Sequence, residues 1–191
     1  MDDVGFIKII QETIRNDYCV DESRMLFAGY SFGGVLAWHI ASLAEDGLGF
    51  ATIYTAATVP FLGFGLPPEE VNYSLFDVIG NEDKLMPPKE MFGTGPHNSV
   101  QNKGGWYKPI KTDLLNEYAE VMDCGDESEW TPMRNGMNLT VTKNLQCFER
   151  QCQNGKAIVR CNGDFGHTPN FASYMDQGWM VYDFMKAHPR T

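Results

Sequence analysis

The stretch Met25 to Leu43, MLFAGYSFGGVLAWHIASL, sets the architecture of the chain. A short apolar run (Met25, Leu26, Phe27, Ala28) stops at Gly29-Tyr30-Ser31-Phe32-Gly33, and Val35, Leu36, Ile40 and Leu43 then recur at helical spacing. A strand therefore feeds a helix through a tight turn with one serine at its tip. Such a turn is expected to admit only glycine at its flanking positions, Gly29 and Gly33, and to hold the serine hydroxyl clear of the sheet. Behind Ser31 the first amides of the helix lack carbonyl partners and face any negative charge that develops on a bound group. A Gly-x-Ser-x-Gly string alone is a weak signal; its place between an apolar strand and an apolar-faced helix is what singles out Ser31.

Upstream, Asp2 and Asp3 are good helix caps, and Val4, Ile7, Ile10 and Ile14 predict a helix with one buried face. Downstream, Phe50 to Ala57 (FATIYTAA) and Tyr73 to Ile79 (YSLFDVI) read as buried strands, the second ended by Gly80-Asn81-Glu82-Asp83. Residues 89 to 110 are rich in glycine and proline and read as a long loop. Leu114, Leu115, Tyr118, Val121 and Met122 predict a helix ending at Cys124-Gly125, and a further strand is expected near Leu139 to Leu145. Ala157 to Arg160 reads as a short strand, after which Asn162-Gly163-Asp164-Phe165-Gly166 turns the chain into His167; Met175, Trp179, Tyr182 and Met185 predict a closing helix. Continuous apolar strands separated by helices predict an α/β fold, a mostly parallel sheet with helices on both faces. Ligands in such sheets bind at the carboxyl ends of the strands, and Ser31, Asp83 and His167 all lie just past strand ends.

That triplet has a chemical reading. A serine hydroxyl is a poor nucleophile at neutral pH; it needs an imidazole to take its proton, and the imidazole needs a carboxylate to fix its tautomer. Ser31, Asp83 and His167 stand in the chain order Ser, Asp, His that strand–turn–helix serine hydrolases use. The rivals are weaker: His39 lies inside the helix after Ser31, no strand separates His97 from the acid, His188 is in the terminus, and Asp77 sits within its strand.

A chain of 191 residues with ordinary apolar content buries one core, so one domain or part of one is expected. The formal net charge of −10 argues against nucleic acid and anionic membranes as partners. No run approaches the length of a membrane span, and Met1-Asp2-Asp3 is unlike the basic start of a signal peptide. The five cysteines, Cys19, Cys124, Cys147, Cys152 and Cys161, form no Cys-x-x-Cys pair, so disulfides in an oxidising compartment are the better reading than a zinc site. The sequons Asn72-Tyr73-Ser74 and Asn138-Leu139-Thr140 point weakly the same way.

Asp2-Asp3-Val4-Gly5-Phe6, Tyr18-Cys19-Val20-Asp21, the elbow, Gly80-Asn81-Glu82-Asp83-Lys84-Leu85-Met86-Pro87 and Gly166-His167-Thr168 together resemble the secreted esterases of the polyhydroxybutyrate depolymerase and feruloyl esterase group, in the α/β-hydrolase superfamily. The resemblance spans nearly the whole chain. It implies a serine-dependent carboxylic ester hydrolase acting on feruloyl, acetyl-polysaccharide or hydroxyalkanoate esters, with Ser31 as nucleophile, Asp83 as acid, His167 as base and the Phe32 amide in the oxyanion hole. It implies a Cys124–Cys152 disulfide, an extracellular location, and no metal or organic cofactor. Tyr30 and Trp106 are candidate substrate contacts; Trp106, Tyr107 and Trp130 lie in the stretch 88–150 between acid and base, read as an irregular insertion, where they either stack on a phenolic ring or pack that stretch onto the body.

The chain departs from the family at Ile79-Gly80, where His-Gly is usual, and at Gly163-Asp164-Phe165-Gly166, where a glycine run is usual. In the superfamily several strands precede the helix at Asp2, and an upstream loop donates the second oxyanion amide; residues 1–191 therefore read as the C-terminal part of such a domain, with the elbow strand left as an open edge and the partner of Cys19 upstream. Two alternatives follow: a lipase or peptidase on the same fold, and a catalytically silent fragment or binding protein descended from an esterase. Substrate specificity and oligomeric state are not encoded in any motif.

Overall fold

A computed structural model describes residues 2–43, 47–89, 99–126, 131–132, 145–168 and 180–190. Helix α1 (Asp3–Asp17) starts where the Asp2 carboxylate accepts the Gly5 amide at 2.8 Å, a side-chain cap for an otherwise orphaned donor. Strand β1 (Leu26–Tyr30) leads through Ser31 into α2 (Phe32–Leu43), and β2 (Thr52–Ala56) and β3 (Ser74–Gly80) follow. A hairpin of β4 (Val100–Gln101) and β5 (Tyr107–Lys108) precedes α3 (Lys111–Val121); then come β6 (Thr131–Pro132), β7 (Leu145–Gln151), β8 (Ala157–Gly163) and α4 (180–187).

The strand order is β1-β2-β3-β8-β7-β6, with β1, β2, β3 and β8 parallel and β7 and β6 added antiparallel. The fold is thus α/β with a mostly parallel sheet. Adjacent strand residues divide between two cores, as pleating requires. Phe27, Ile53, Leu75 and Ile158 pack under α1, α2 and α3; Leu26, Tyr54, Phe76 and Val159 pack with Met180, Val181 and Phe184 of α4 on the opposite face. Ile53, Leu75, Leu114 and Leu115 are at most 1% exposed, each contributing about 2 kcal/mol of apolar burial.

Several expectations need correction. The strand expected near Leu139 begins at Leu145 and runs antiparallel to β8; residues 139–144 lie outside the described residues. Leu145, Cys147 and Arg150 are buried there while Gln146 and Gln151 are exposed, so the strand is buried only in part and shows no continuous apolar run. Within the stretch 88–150, read as an irregular insertion, the expected helix is present as α3, and the β4–β5 hairpin is not foreseen in the sequence; the Asn102 carboxamide closes its turn on the amides of Gly104 (3.0 Å) and Trp106 (2.9 Å). The apolar stripe of α1 is only half used. Val4 and Ile7 are partly buried, whereas Ile10 is 37% and Ile14 42% exposed, since β1 is the outer strand of the described sheet and nothing described flanks it. Trp130, His97 and the start of the last helix (Met175 and Trp179) lie outside the described residues.

Two disulfides tie the antiparallel side. Cys124–Cys152 joins the end of α3 to the end of β7, as the resemblance implies, and Cys147–Cys161 links directly opposed residues of β7 and β8. Cys19 is free and exposed. No described helix is long and apolar enough to cross a membrane.

Candidate active site

The site is assembled at the carboxyl ends of β1, β3 and β8. Ser31 follows β1 with φ of 55°, a left-handed conformation that costs a side-chain-bearing residue about 1–3 kcal/mol and persists because the surroundings hold it. Its amide donates to Ala56 O at 2.9 Å and its carbonyl accepts the Val35 amide at 3.1 Å, so the turn is pinned to β2 on one side and to α2 on the other. A Cβ at Gly29 would lie 2.1 Å from Gly33 O, which forbids a side chain there. The second flanking glycine corrects the sequence reading: a Cβ at Gly33 would meet nothing within 4 Å, whereas one at Gly34 would lie 2.4 Å from Thr58 Cγ2. The close approach is that of the helix to the loop after β2, and Gly34 makes it possible.

Ser31 Oγ stands 2.8 Å from His167 Nε2, and His167 Nδ1 stands 2.9 Å from Asp83 Oδ2. Asp83 is fully buried, and its other oxygen accepts the amides of Leu85 (2.9 Å) and Met86 (2.8 Å). An ionised carboxylate only accepts, so the imidazole proton sits on Nδ1 and the Nε2 lone pair is left for the serine hydroxyl. The imidazole side chain is 19% exposed, open enough to reach a bound group. The loops carrying Asp83 and His167 are laced together: Asn81 N donates to Gly163 O at 2.8 Å, Glu82 N to Phe165 O at 3.1 Å, and the Asn81 carboxamide to Asp164 at 3.3 Å. Gly80 lies directly under this lacing; a Cβ there would be 2.1 Å from Phe165 O.

The structure thus brings Ser31, Asp83 and His167 together and places Phe32 at the first turn of α2, where main-chain amides have no intrahelical acceptor. The Phe32 ring is 70% exposed and begins a chain of rings: Phe61 at 6.3 Å, then Trp106 at 5.7 Å from Phe61. Trp106 is 64% exposed and packs against Phe61, one ring removed from Phe32. A groove of about 270 Å³, lined by Phe32, Val35, Leu36, His39, Phe61 and Phe64 together with Asp3, runs from the neighbour of Ser31 along α2. Tyr30 turns its hydroxyl to the main-chain carbonyl of His167 at 2.8 Å. The rivals are placed elsewhere: His39 is half-buried beside Phe64, His188 bridges Gly155 O and Glu149, and Asp77 is buried against Lys111.

Two of the three buried lysines among the described residues, Lys108 and Lys111, stand between Asp77, Asp83 and Phe61 and have no counterpart in the sequence reading. Lys111 Nζ meets Asp77 Oδ1 at 2.6 Å, and Thr55 Oγ1 donates to the same oxygen. Burial holds the Lys111 ammonium below its ordinary range. Lys108, fully buried, donates to Val59 O at 2.8 Å and lies 4.1 Å from the Phe61 ring centroid. Burial, with the Lys111 charge beside it, brings its pKa down to about 8, and Asp83 pulls the other way. Lysines between Tyr107 and Pro109 and at the head of a helix read as solvent-facing, and no residue pattern marks them as buried.

No model of a known protein family matches the chain, and a search of curated proteins finds no match.

Proposed function

We propose that the protein is a serine-dependent carboxylic ester hydrolase of the α/β-hydrolase type, working through an acyl-enzyme on Ser31. The observation that carries this reading is the unbroken relay Ser31–His167–Asp83, with the serine held at positive φ on a strand-to-helix turn. In the proposed reaction Ser31 Oγ attacks the ester carbonyl while Nε2 of His167 takes the hydroxyl proton, and the imidazolium is stabilised by Asp83. The tetrahedral oxyanion lies at the start of α2, where the Phe32 amide donates to it; one such donor is worth about 10²–10³-fold in rate. The intermediate collapses as Nε2 returns the proton to the leaving alcohol. Water then repeats the sequence on the acyl-enzyme, giving the carboxylic acid and free Ser31.

Feruloyl, acetyl-polysaccharide and hydroxyalkanoate esters are the proposed substrates, from the family resemblance; the exposed rings of Phe32 and Trp106 and the groove along α2 favour an ester with an apolar or planar group. The two disulfides support folding in an oxidising compartment and, with the resemblance, a secreted protein. The relay alone does not choose between esters and amides, so a lipase or peptidase on the same fold remains the nearest competing enzyme reading. A fluorophosphonate probe should label Ser31 in the folded protein and not in Ser31→Ala. Absence of labelling in a folded sample would favour the catalytically silent or binding-protein reading instead.

A further inference from the structure

Tyr30 occupies the variable position before the nucleophile, and its hydroxyl is not directed at open solvent. It donates to the main-chain carbonyl of His167 at 2.8 Å, across 137 positions of sequence, and its ring lies 5.6 Å from the imidazole at a 38° tilt. In the sheet β1 and β8 are separated by β2 and β3, so Tyr30 spans the carboxyl edge to reach the loop that carries the base. That loop leaves β8 at Gly163, and the bonds from Asn81 and Glu82 hold it through Phe165. At residue 167 the main chain is met by Tyr30. The residue next to the nucleophile therefore grips the backbone of the base, while the nucleophile's own hydroxyl grips its ring at 2.8 Å.

We infer that Tyr30 is a positioning residue for His167, setting the separation between nucleophile and base through its hydroxyl, rather than a substrate contact. This rests on the hydrolase reading above. Two ties from the adjacent residues Tyr30 and Ser31 to the main chain and ring of His167 leave the imidazole little freedom to swing away from Ser31 when a substrate displaces the bond between serine and ring. That is the moment at which a loose base costs most.

The test is Tyr30→Phe, which keeps the ring and removes the donor, with Tyr30→Met as a second variant that removes both. With a p-nitrophenyl ester, Tyr30→Phe should lower kcat about three- to tenfold, the factor one neutral hydrogen bond is worth, and leave KM unchanged. Fluorophosphonate labelling of Ser31 should slow by the same factor, and Tyr30→Met should fall at least as far. In NMR spectra the His167 Nδ1–H proton, assigned by its loss in His167→Asn, should broaden in Tyr30→Phe through faster exchange. A raised KM with kcat intact would overturn the inference in favour of a substrate contact; unchanged kinetics and an unchanged proton line would overturn it outright. If the wild-type protein neither hydrolyses esters nor takes up the probe, the hydrolase reading falls by itself, and the Nδ1–H line decides whether the tie exists.

Discussion

On the hydrolase reading proposed above, Gly80→Ala is the sharpest test of how the base, His167, is held. A methyl at residue 80 would stand 2.1 Å from Phe165 O, 2.6 Å from Phe165 Cδ2 and 2.7 Å from Gly166 O, where ordinary contact begins at 3.4 Å. Two of these are main-chain atoms, so no side-chain rotation relieves the clash. The 165–166 backbone must recede by about 1 Å, and His167 follows it directly. Its bonds to Ser31 and Asp83, 2.8 and 2.9 Å, then stretch past useful length. A misplacement of that size costs about 10²-fold, so kcat/KM on a p-nitrophenyl ester and the rate of probe labelling should both fall by about that factor. Because the clash lies at the end of the β3–β8 ladder, whose last pair is Gly80 and Gly163, far-UV circular dichroism should stay close to wild type. Wild-type kcat/KM in a folded Gly80→Ala protein would refute the claim that this close approach sets the position of the base.

Gly33→Ala should be tolerated and stabilise α2 by about 0.5–1 kcal/mol through helix propensity, whereas Gly34→Ala should lower the melting temperature by driving a methyl into Thr58; paired thermal melts decide. Lys108 gives a pH dependence of stability. Above pH 8 the folded chain sheds a proton that the unfolded lysine keeps to about 10.5, so stability should rise between pH 8 and 10, by up to about 3 kcal/mol. Lys111 and Lys156, also held down by burial, act in the same direction, and Tyr73 and Tyr118, held up by burial, reverse the trend above pH 10. Urea titrations across this range should show a shallower rise in Lys108→Met. Lys111→Met leaves the Asp77 carboxylate buried without its cation and should cost about 3–5 kcal/mol, with Asp77→Leu in the same chain recovering much of the loss.

The residues of the relay were legible because each sits where an apolar run breaks into a glycine-rich turn, and parallel strands deliver such turns to one edge. The parallel strands were legible for the same reason. β7 was not, because Gln146, Glu149, Arg150 and Gln151 interrupt any apolar run or alternation and make the strand look like a loop, even though Arg150 is buried. Periodicity announced the apolar stripe of α1 but carries no information on whether anything lies against it, and Ile10 and Ile14 are left open. Choosing between Gly33 and Gly34 depends on Thr58, which approaches from another part of the chain. Lys108 and Lys111 owe their burial to partners 49 and 34 positions away, contacts that no local pattern encodes.

Both cystine links fall on one flank of the molecule, where β7 and its neighbours join the sheet, while the strands leading to Ser31 and Asp83 carry none. The choice of production host therefore acts unevenly. Protein made in a reducing cytosol would keep the ladders and packing of β1, β2 and β3 unchanged, whereas β7 would lose both covalent ties and rest on its ladder to β8 and the packing of Leu145 and Cys147. Material from an oxidising secretory route is the preparation whose turnover deserves to be measured first.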